Sequence, residues 1–254
     1  MSDYLGLTGQ YGVAHRGGAL EHLENSPSAF QNAIELGYPV IETDVQATAD
    51  GVLAVTHDAD LVRTAGDRRR VARLTWQQLS TMRLLNGERP LRLEELLELS
   101  GGVRLNLDPK TNASLPPLIR LLKARPKLKS RVCIGSFDAL RLHRFRSQLP
   151  GFATGLGFTE VRRLVLAAKT RTRFKFPDSV VAAQVPVKAF GVRIVTQGFV
   201  DFVKSHGRHV QVWTVDDEQE MRQLLNLGVN AVMTDRPTAL KSVMEDLGNW
   251  QPAQ

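Results

Sequence analysis

The stretch SPSAFQNAIELGYPVIETDV, residues 26–45, contains a helix, its end signals and the strand that follows. Ser26 and Pro27 are typical of a helix N-cap and first helical residue. Apolar residues then recur every three or four positions until Gly37, which is typical of a helix end. Val40–Val45 is an apolar, β-branched run typical of a buried strand. The stretch therefore predicts one helix-to-strand unit of a parallel sheet.

The same alternation of short apolar segments and helical periodicity extends outward in both directions. Nine segments have strand character: 11–14, 40–45, 52–56, 103–108, 132–135, 152–155, 180–184, 210–215 and 231–234. This is one more than an eight-stranded barrel needs. Because Asp50-Gly51 is a hairpin signal, we assign 52–56 to an elaborated loop after the second strand. We predict an α/β fold, with residues 1–254 forming a single barrel domain.

The composition is that of an ordinary globular chain, with 254 residues, 43% hydrophobic and 23% charged. No apolar run approaches the ~18 residues of a membrane span, and residues 1–15 show no export signal. The single cysteine, Cys133, cannot form an internal disulfide and lies in an apolar run, which indicates a small buried side chain. We expect a cytoplasmic protein, with a loose tail over residues 249–254.

The charge balance favours anionic partners, since 33 Lys and Arg against 26 Asp and Glu give a net charge of +7. Basic residues cluster at 68–70, 127–131 and 162–175. Solvated surface is the ordinary interpretation of such runs. A phosphate-bearing small molecule or peripheral contact with an anionic membrane is the functional alternative. Nucleic acid is disfavoured, because the runs lack regularly interleaved aromatic residues. No oligomeric state follows from the sequence.

Two carboxylates lie on one face of the second predicted strand. In Val40–Val45, side chains alternate between faces, so Glu42 and Asp44 point the same way. Like charges this close are unfavourable unless a cation or basic side chains offset them. A hard divalent ion such as Mg²⁺ or Ca²⁺ prefers such oxygen ligands. An ion-pair network with arginine or lysine remains an equal alternative.

Two histidines follow extended segments, at the positions where α/β barrels assemble their active sites. His15 and Arg16 come directly after the first predicted strand, and His57 follows segment 52–56. An arginine grips phosphate with two hydrogen bonds, and histidine transfers protons near neutral pH. For each residue taken alone, an ordinary turn or a structural histidine is the competing interpretation.

Later strands add three more candidates. Asp108 shares a strand face with Asn106 and supplies a third carboxylate, and Lys110 follows as a cation beside a phosphate. Trp213 lies near the end of a late strand, where its ring packs either on a substrate's carbon skeleton or in the core. Asp235 is interpreted as the cap of the last helix.

Taken together, these segments resemble the glycerophosphodiester phosphodiesterase family. The matching stretches follow the family's order along nearly the whole chain: AHRGG (14–18), ENSPSAFQNAIELG (24–37), IETDVQATADGVLAVTHD (41–58), LNLDPK (105–110), VWTVDD (212–217) and GVNAVMTDRP (228–237).

The resemblance implies a TIM barrel that hydrolyses glycerophosphodiesters, such as glycerophosphocholine or glycerophosphoethanolamine, to sn-glycerol 3-phosphate and an alcohol, with one divalent cation, Mg²⁺ or Ca²⁺. It implies His15 and His57 as general acid and base, and Arg16 and Lys110 as phosphate-binding residues. The implied metal ligands are Glu42, Asp44 and Asp108.

Asp108 is one methylene shorter than the glutamate common in the family. Two alternatives are carried beside the leading hypothesis: a lysophospholipase D-like enzyme at a membrane surface, and a barrel that binds phosphorylated ligands without cleaving them.

Overall fold

The computed structural model describes residues 6–253 of the chain. Residues 1–5 and Gln254 lie outside the described range. The first group belongs to the stretch in which we expect no export signal, and Gln254 belongs to the tail that we expect to be loose. Within that range, no helix combines the length and the apolar character that a bilayer crossing requires.

Thirteen strands and ten α-helices alternate along the described chain. The strands are β1 Tyr11–His15, β2 Val40–Ala47, β3 Leu53–Val55, β4 Asp60–Leu61, β5 Asp67–Arg70, β6 Arg104–Pro109, β7 Val132–Ile134, β8 Ala153–Thr154, β9 Ala182–Pro186, β10 Lys188–Ala189, β11 Val192–Arg193, β12 His209–Trp213 and β13 Ala231–Thr234. The helices are α1 Pro27–Glu35, α2 Val62–Ala65, α3 Trp76–Ser80, α4 Leu93–Leu99, α5 Leu115–Ala124, α6 Ala139–Gln148, α7 Phe158–Thr170, α8 Gln197–Ser205, α9 Glu218–Asn226 and α10 Pro237–Asp246.

Eight parallel strands form the barrel, in the order β8, β7, β6, β2, β1, β13, β12, β9. The ring is completed where Val180, just before β9, makes a parallel bridge to Thr154 of β8. The Val181 N–H donates to the Thr154 carbonyl at 3.0 Å. The predicted (β/α)8 barrel is confirmed, and parallel packing places the carboxyl ends of all eight strands at one mouth.

The segment predicted to leave the barrel after the second strand does so. β3 pairs antiparallel with the end of β2, and residues 53–99 continue through two short strands and three helices before β6. This excursion has an apolar cluster of its own, which includes Leu61, Val71 and Leu79. It therefore covers one side of the barrel mouth as a packed unit.

Helix punctuation follows the sequence at one of the two predicted starts. Ser26 Oγ accepts the Ala29 N–H at 3.2 Å, with Pro27 as the first residue of α1. At α9, the side chain of Asp217 is the N-cap. The interpretation of Asp235 as a cap is wrong: Arg236 occupies the N-cap position of α10, and the first turn is capped instead by Glu21, which accepts the Thr238 N–H at 2.9 Å.

Specific contacts fix the barrel interior and the carboxyl-terminal tail. Below the mouth, Gln184 donates to Gln211, Gln211 donates to the Tyr11 hydroxyl, and that hydroxyl lies 2.9 Å from His209 Nδ1. The prediction of a loose tail is wrong for residues 249–253, because the Trp250 ring packs edge-on against Tyr38 and the Ala253 N–H donates to the Gly37 carbonyl. Burial of the indole outweighs the polar character of the tail.

Candidate active site

A cavity of about 660 Å³ opens at the carboxyl ends of the barrel strands. All eight residues singled out in the sequence line it: His15, Arg16, Glu42, Asp44, His57, Asp108, Lys110 and Trp213. They come from β1, β2, the segment after β3, β6 and β12, which lie far apart in sequence. The barrel thus brings every predicted site residue to one place.

His15 is held by carboxylates on both sides of its ring. Nδ1 lies 2.7 Å from Asp235 Oδ1, and Nε2 lies 3.7 Å from Glu42 Oε2. Asp235 is in turn fixed, because its backbone N–H donates to Asp216 at 2.7 Å. Burial lowers the pKa of His15, but the hydrogen bond to Asp235 and the charge of Glu42 outweigh it, so the net pKa is raised.

Arg16 occupies an unusual backbone conformation at the mouth. Its φ of +52° lies in the left-handed region, which side chains other than glycine rarely adopt. The backbone is fixed there because the Arg16 N–H donates to the Glu42 carbonyl and its own carbonyl accepts from Asn25. Such a conformation persists only where the surrounding structure enforces it, and here it directs the guanidinium into the cavity.

The guanidinium of Arg16 lies between two acidic residues. Nη1 donates to both carboxylate oxygens of Glu24 at 3.2 Å, and Nε lies 3.2 Å from Asp44 Oδ2 without the alignment of a hydrogen bond. Glu24 is 5% exposed and also accepts from Arg63. A buried carboxylate shared by two arginines fixes both of them relative to the cavity.

His57 has the same kind of support as His15. Its Nδ1 lies 2.7 Å from Asp58 Oδ1, and Asp58 Oδ2 accepts from Arg63 Nε at 2.9 Å. Burial raises the pKa of Asp58, but the hydrogen bonds of Arg63 and His57 lower it by more. The net pKa is therefore lowered, and the carboxyl stays ionised. Both histidines therefore present a ring whose Nδ1 is engaged by a carboxylate.

Three carboxylates converge on neighbouring strands. Asp44 of β2 is the register partner of Asp108 of β6, and Glu42 lies two residues before Asp44. The Lys110 ammonium bridges Asp44 Oδ1 at 3.2 Å and Asp108 Oδ2 at 3.1 Å. Burial, with the repulsion of Asp44, raises the pKa of Glu42 well above its usual range. Burial also raises the pKa of Asp108, and Lys110 offsets only part of that effect.

The opposite wall of the cavity is apolar. It is formed by residues at or after the carboxyl ends of β7, β8, β9 and β12: Phe137, Leu156, Phe158, Val161, Val165, Pro186, Phe190, Val192, Ile194 and Trp213. The Trp213 ring packs edge-on against Phe137, with ring centres 5.4 Å apart. The cavity is thus divided between an ionic side and an apolar side.

This combination of fold and site agrees with comparisons to known proteins. Residues 15–239 match the sequence profile of the Glycerophosphoryl diester phosphodiesterase family. The chain belongs to this family. The resemblance inferred from the sequence is therefore confirmed, and with it the prediction of a phosphoric diester hydrolase.

Individual relatives of the family cover nearly the whole chain. A Mycobacterium tuberculosis protein named Probable glycerophosphodiester phosphodiesterase 2 is 32% identical, over 99% of this chain and 97% of its own. Human Lysophospholipase D GDPD1 is 24% identical, over 92% of this chain and 86% of its own. The crystal structure of a putative family member from Silicibacter pomeroyi superposes with a TM-score of 0.80 at 22% identity, over 98% and 99% of the two chains.

Sequence reasoning missed residues that support or enlarge this family's site in the present chain. Asp58 and Asp235 each engage a histidine, although the first was not considered and the second was assigned to a helix cap. The signal for Asp235 was its position directly after a strand, the same signal that identified His15. Nothing in the local sequence indicated that Glu24 would hold Arg16 or that Phe190 would line the cavity.

The donor set at the centre fits a divalent cation. Glu42 Oε2 is buried and has no hydrogen-bond partner, which leaves one oxygen of a hard ligand unsatisfied. Among the described residues, no three acidic, histidine or cysteine side chains already surround a common point, and Lys110 instead bridges two of the carboxylates. Both interpretations made from the sequence, cation site and ion-pair network, thus have a structural counterpart.

Proposed function

We propose that this protein hydrolyses glycerophosphodiesters to sn-glycerol 3-phosphate and an alcohol. The observation that carries the proposal is the pair of carboxylate-supported histidines, His15 and His57, lining one cavity with Arg16 and Lys110. A phosphodiester needs charge stabilisation on its phosphoryl oxygens and proton transfer at the attacking and leaving oxygens. The cavity offers groups for each of these tasks.

The two histidines are proposed as general acid and general base. Since Nδ1–H donates to Asp235 in His15 and to Asp58 in His57, Nε2 is the nitrogen left to exchange protons. One ring takes the proton of the attacking hydroxyl, which belongs to water or to the glycerol 2-hydroxyl. The other gives a proton to the leaving alcohol oxygen as the P–O bond breaks. Where the glycerol 2-hydroxyl attacks, the product is a cyclic phosphate, which is hydrolysed afterwards.

Arg16 and Lys110 are proposed to bind the phosphate. Arg16 is held by Glu24 and presents a planar set of donors, whereas Lys110 is a compact charge beside Asp44 and Asp108. Burial lowers the pKa of Lys110, but the two carboxylates outweigh it, so the ammonium stays charged. Glu42, Asp44 and Asp108 would hold one cation, Mg²⁺ or Ca²⁺, which supplies further positive charge to the phosphoryl oxygens.

Turnover of glycerophosphocholine and glycerophosphoethanolamine tests the proposal. The assay measures glycerol 3-phosphate after chelation and after readdition of Mg²⁺ or Ca²⁺. We expect His15→Ala and His57→Ala each to lower turnover by on the order of a hundredfold or more. His143→Ala, at an exposed position on α6, is the matched control and should keep the wild-type rate. Near-normal rates in both site variants would contradict the assignment, and ligand binding without turnover would favour the non-catalytic alternative.

A second candidate reaction is the hydrolysis of lysophospholipids, supported by the apolar wall of the cavity. Soluble diesters offer only a headgroup alcohol and a glycerol, which bury little apolar surface against Phe137, Phe158 and Ile194. A lysophospholipid carries an acyl chain, and its burial against these side chains is favourable. The name of the human relative supports this candidate. Comparing turnover of lysophosphatidylcholine with that of glycerophosphocholine separates the two: a preference for the soluble diester would exclude the lipid reaction.

A further inference from the structure

A short hairpin stands at the mouth of the cavity, directly after β9. β10 pairs antiparallel with β11, and Phe190-Gly191 form the two-residue turn between them. Phe190 is 89% exposed and Val192 is 57% exposed, although both also line the cavity. Large apolar side chains this exposed, and grouped at a site, mark an interaction surface.

The backbone of the turn disfavours phenylalanine. Phe190 has φ +50° and Gly191 has φ +76°, the pattern of tight hairpin turns that prefer Asn-Gly. A bulky residue in the left-handed region costs roughly 1–2 kcal/mol. The stability of the hairpin therefore gives no reason for a phenylalanine at its tip, and neither does packing, because the ring is almost wholly exposed.

Other exposed apolar side chains surround the same mouth. Phe137 is 59% exposed and Phe158 is 42% exposed, and both line the cavity. Cations lie among them: Lys188 and Arg193 flank the hairpin tip, and the Arg162 guanidinium lies 5.8 Å from the centre of the Phe158 ring. Residues 186–194 contain no acidic residue. Apolar tips among cations are complementary to an anionic bilayer, where apolar groups enter the interface and cations meet headgroups.

The basic run at residues 171–175 belongs to the other end of the molecule. It precedes Phe176, whose ring contacts His206 and lies under the Arg208 guanidinium. His206 and Arg208 come just before the amino end of β12. The surface that combines apolar tips with cations is therefore the mouth.

We propose that the hairpin of residues 187–194 docks on an anionic lipid bilayer by inserting Phe190 and Val192, so that the cavity mouth faces the lipid. The inference rests on the proposed function of the same cavity. It names the anionic bilayer as the partner from which a lipid substrate enters that cavity. Lys188 and Arg193 meet the headgroups, while the apolar wall continues the lipid surface into the barrel.

Flotation of the full chain with vesicles tests the docking. The vesicles are phosphatidylcholine with phosphatidylglycerol, or phosphatidylcholine alone, and they contain no lysophospholipid. We expect wild-type protein to bind the anionic vesicles preferentially. Phe190→Asn should lower that binding by on the order of tenfold, while its melting temperature stays equal or rises, because asparagine suits the turn. Lys188→Glu should lower binding by about fivefold or more.

Leu166→Asn is the matched control, because Leu166 is 63% exposed on α7 but does not line the cavity. It should bind vesicles as the wild type does. Wild-type binding that Phe190→Asn leaves unchanged would overturn the proposal, as would absence of binding to anionic vesicles. A wild-type dimer that Phe190→Asn converts to monomers, without vesicle binding, would identify a second copy of the chain as the partner instead.

The two proposals fail separately. Vesicle binding requires no catalysis, so docking stands if the protein binds lipid but cleaves no diester. Hydrolysis of soluble glycerophosphoethanolamine by a wild-type protein that does not bind vesicles would overturn the docking alone.

Discussion

Each histidine of the site is oriented by an aspartate, but the two aspartates reach their partners differently. Asp58 is adjacent to His57 in sequence, whereas Asp235 is 220 positions from His15 and arrives through β13, the neighbour of β1 in the barrel. A hydrogen bond to Nδ1 fixes both the tautomer and the direction of the ring. The pairing of the first strand with the last thus sets the chemistry of a side chain at the other end of the sequence.

Removing the charge of Asp235 should impair turnover without unfolding the barrel. We expect Asp235→Asn to lower kcat by on the order of a hundredfold, because an amide no longer stabilises the charged ring or selects its tautomer. The KM for glycerophosphocholine should change little, since Asp235 does not contact the phosphate in the proposed arrangement. Steady-state kinetics with the melting temperature measured in parallel checks this expectation.

Asp217→Asn is the control for that substitution. Asp217 also follows a strand, but its side chain caps α9 by accepting the Glu220 N–H at 2.8 Å, and asparagine caps equally well. Its variant should keep both kcat and stability. Equal kcat losses in the two variants would remove the special role assigned to Asp235.

The sequence identified the residues of the cavity better than their contacts. Alternation along β2 correctly directed Glu42 and Asp44 to one side, and position after a strand placed His15 at the mouth. The same signal was read differently at Asp235, because an aspartate before Pro237 also suits a helix start. Pairings across the barrel depend on strand order and register, which local patterns do not contain.

At the scale of elements, the turn after β1 depends on close contact with α1. An added Cβ on Gly17 would lie 2.8 Å from the backbone carbon of Ala29 in that helix, at a φ of +81°. Backbone cannot yield as a flexible side chain does. The turn that carries His15 and Arg16 is therefore braced by the helix that follows it.

Two glycine substitutions separate the steric and conformational costs at this turn. Gly87 has φ +84° but no atom within 4 Å of an added Cβ, so Gly87→Ala pays only for the backbone conformation, about 1–2 kcal/mol. Gly17→Ala should lower the free energy of unfolding by roughly a further 1–3 kcal/mol, because α1 must shift. Denaturant unfolding of both variants measures the difference, and equal losses would show that the turn does not depend on its contact with α1.

Sequence reasoning found the strands of the barrel, whose apolar runs alternate with stretches of helical periodicity. All eight barrel strands were anticipated, with ends shifted by one or two residues in most cases. The β10–β11 hairpin was not, since it spans only six residues and its turn is Phe-Gly rather than Asn-Gly. The residue that hid the hairpin from sequence reasoning, Phe190, is also the residue on which the docking proposal depends.

For the whole molecule, the barrel sorts chemistry by strand position. Ionic side chains come from β1, β2, β6 and the loops beside them, and the apolar wall comes from the ends of β7, β8, β9 and β12. In the strand order, β6, β2 and β1 are consecutive, and β12, β9, β8 and β7 are consecutive around the ring. The ionic and the apolar side chains therefore occupy two separate arcs of one mouth. A substrate with a charged diester and an apolar chain matches both sides at once.

Cation binding should be visible as stability of the whole molecule, independently of turnover. Without a cation, the buried carboxylates of Glu42, Asp44 and Asp108 repel one another when ionised, which contributes to the raised pKa of Glu42, and only Lys110 and Arg16 offset their charges. A ligand that binds only the folded state stabilises it by about 2.7 kcal/mol at a hundred times its dissociation constant. For a chain of this size, that corresponds to roughly 5–10 °C in melting temperature.

Calorimetry of the chelated protein with added Mg²⁺ or Ca²⁺ measures the shift. Glu42→Gln should lose most of it, because the unsatisfied buried oxygen is no longer part of a charged carboxylate. The same substitution should leave the chelated protein as stable as the wild type or more so, since glutamine replaces a buried carboxyl whose ionisation the neighbouring carboxylates oppose. Glu98→Gln, at an exposed position on α4, should keep the full shift. If neither ion raised the melting temperature of the wild type, the ion-pair network around Lys110 would be the resident arrangement of these carboxylates.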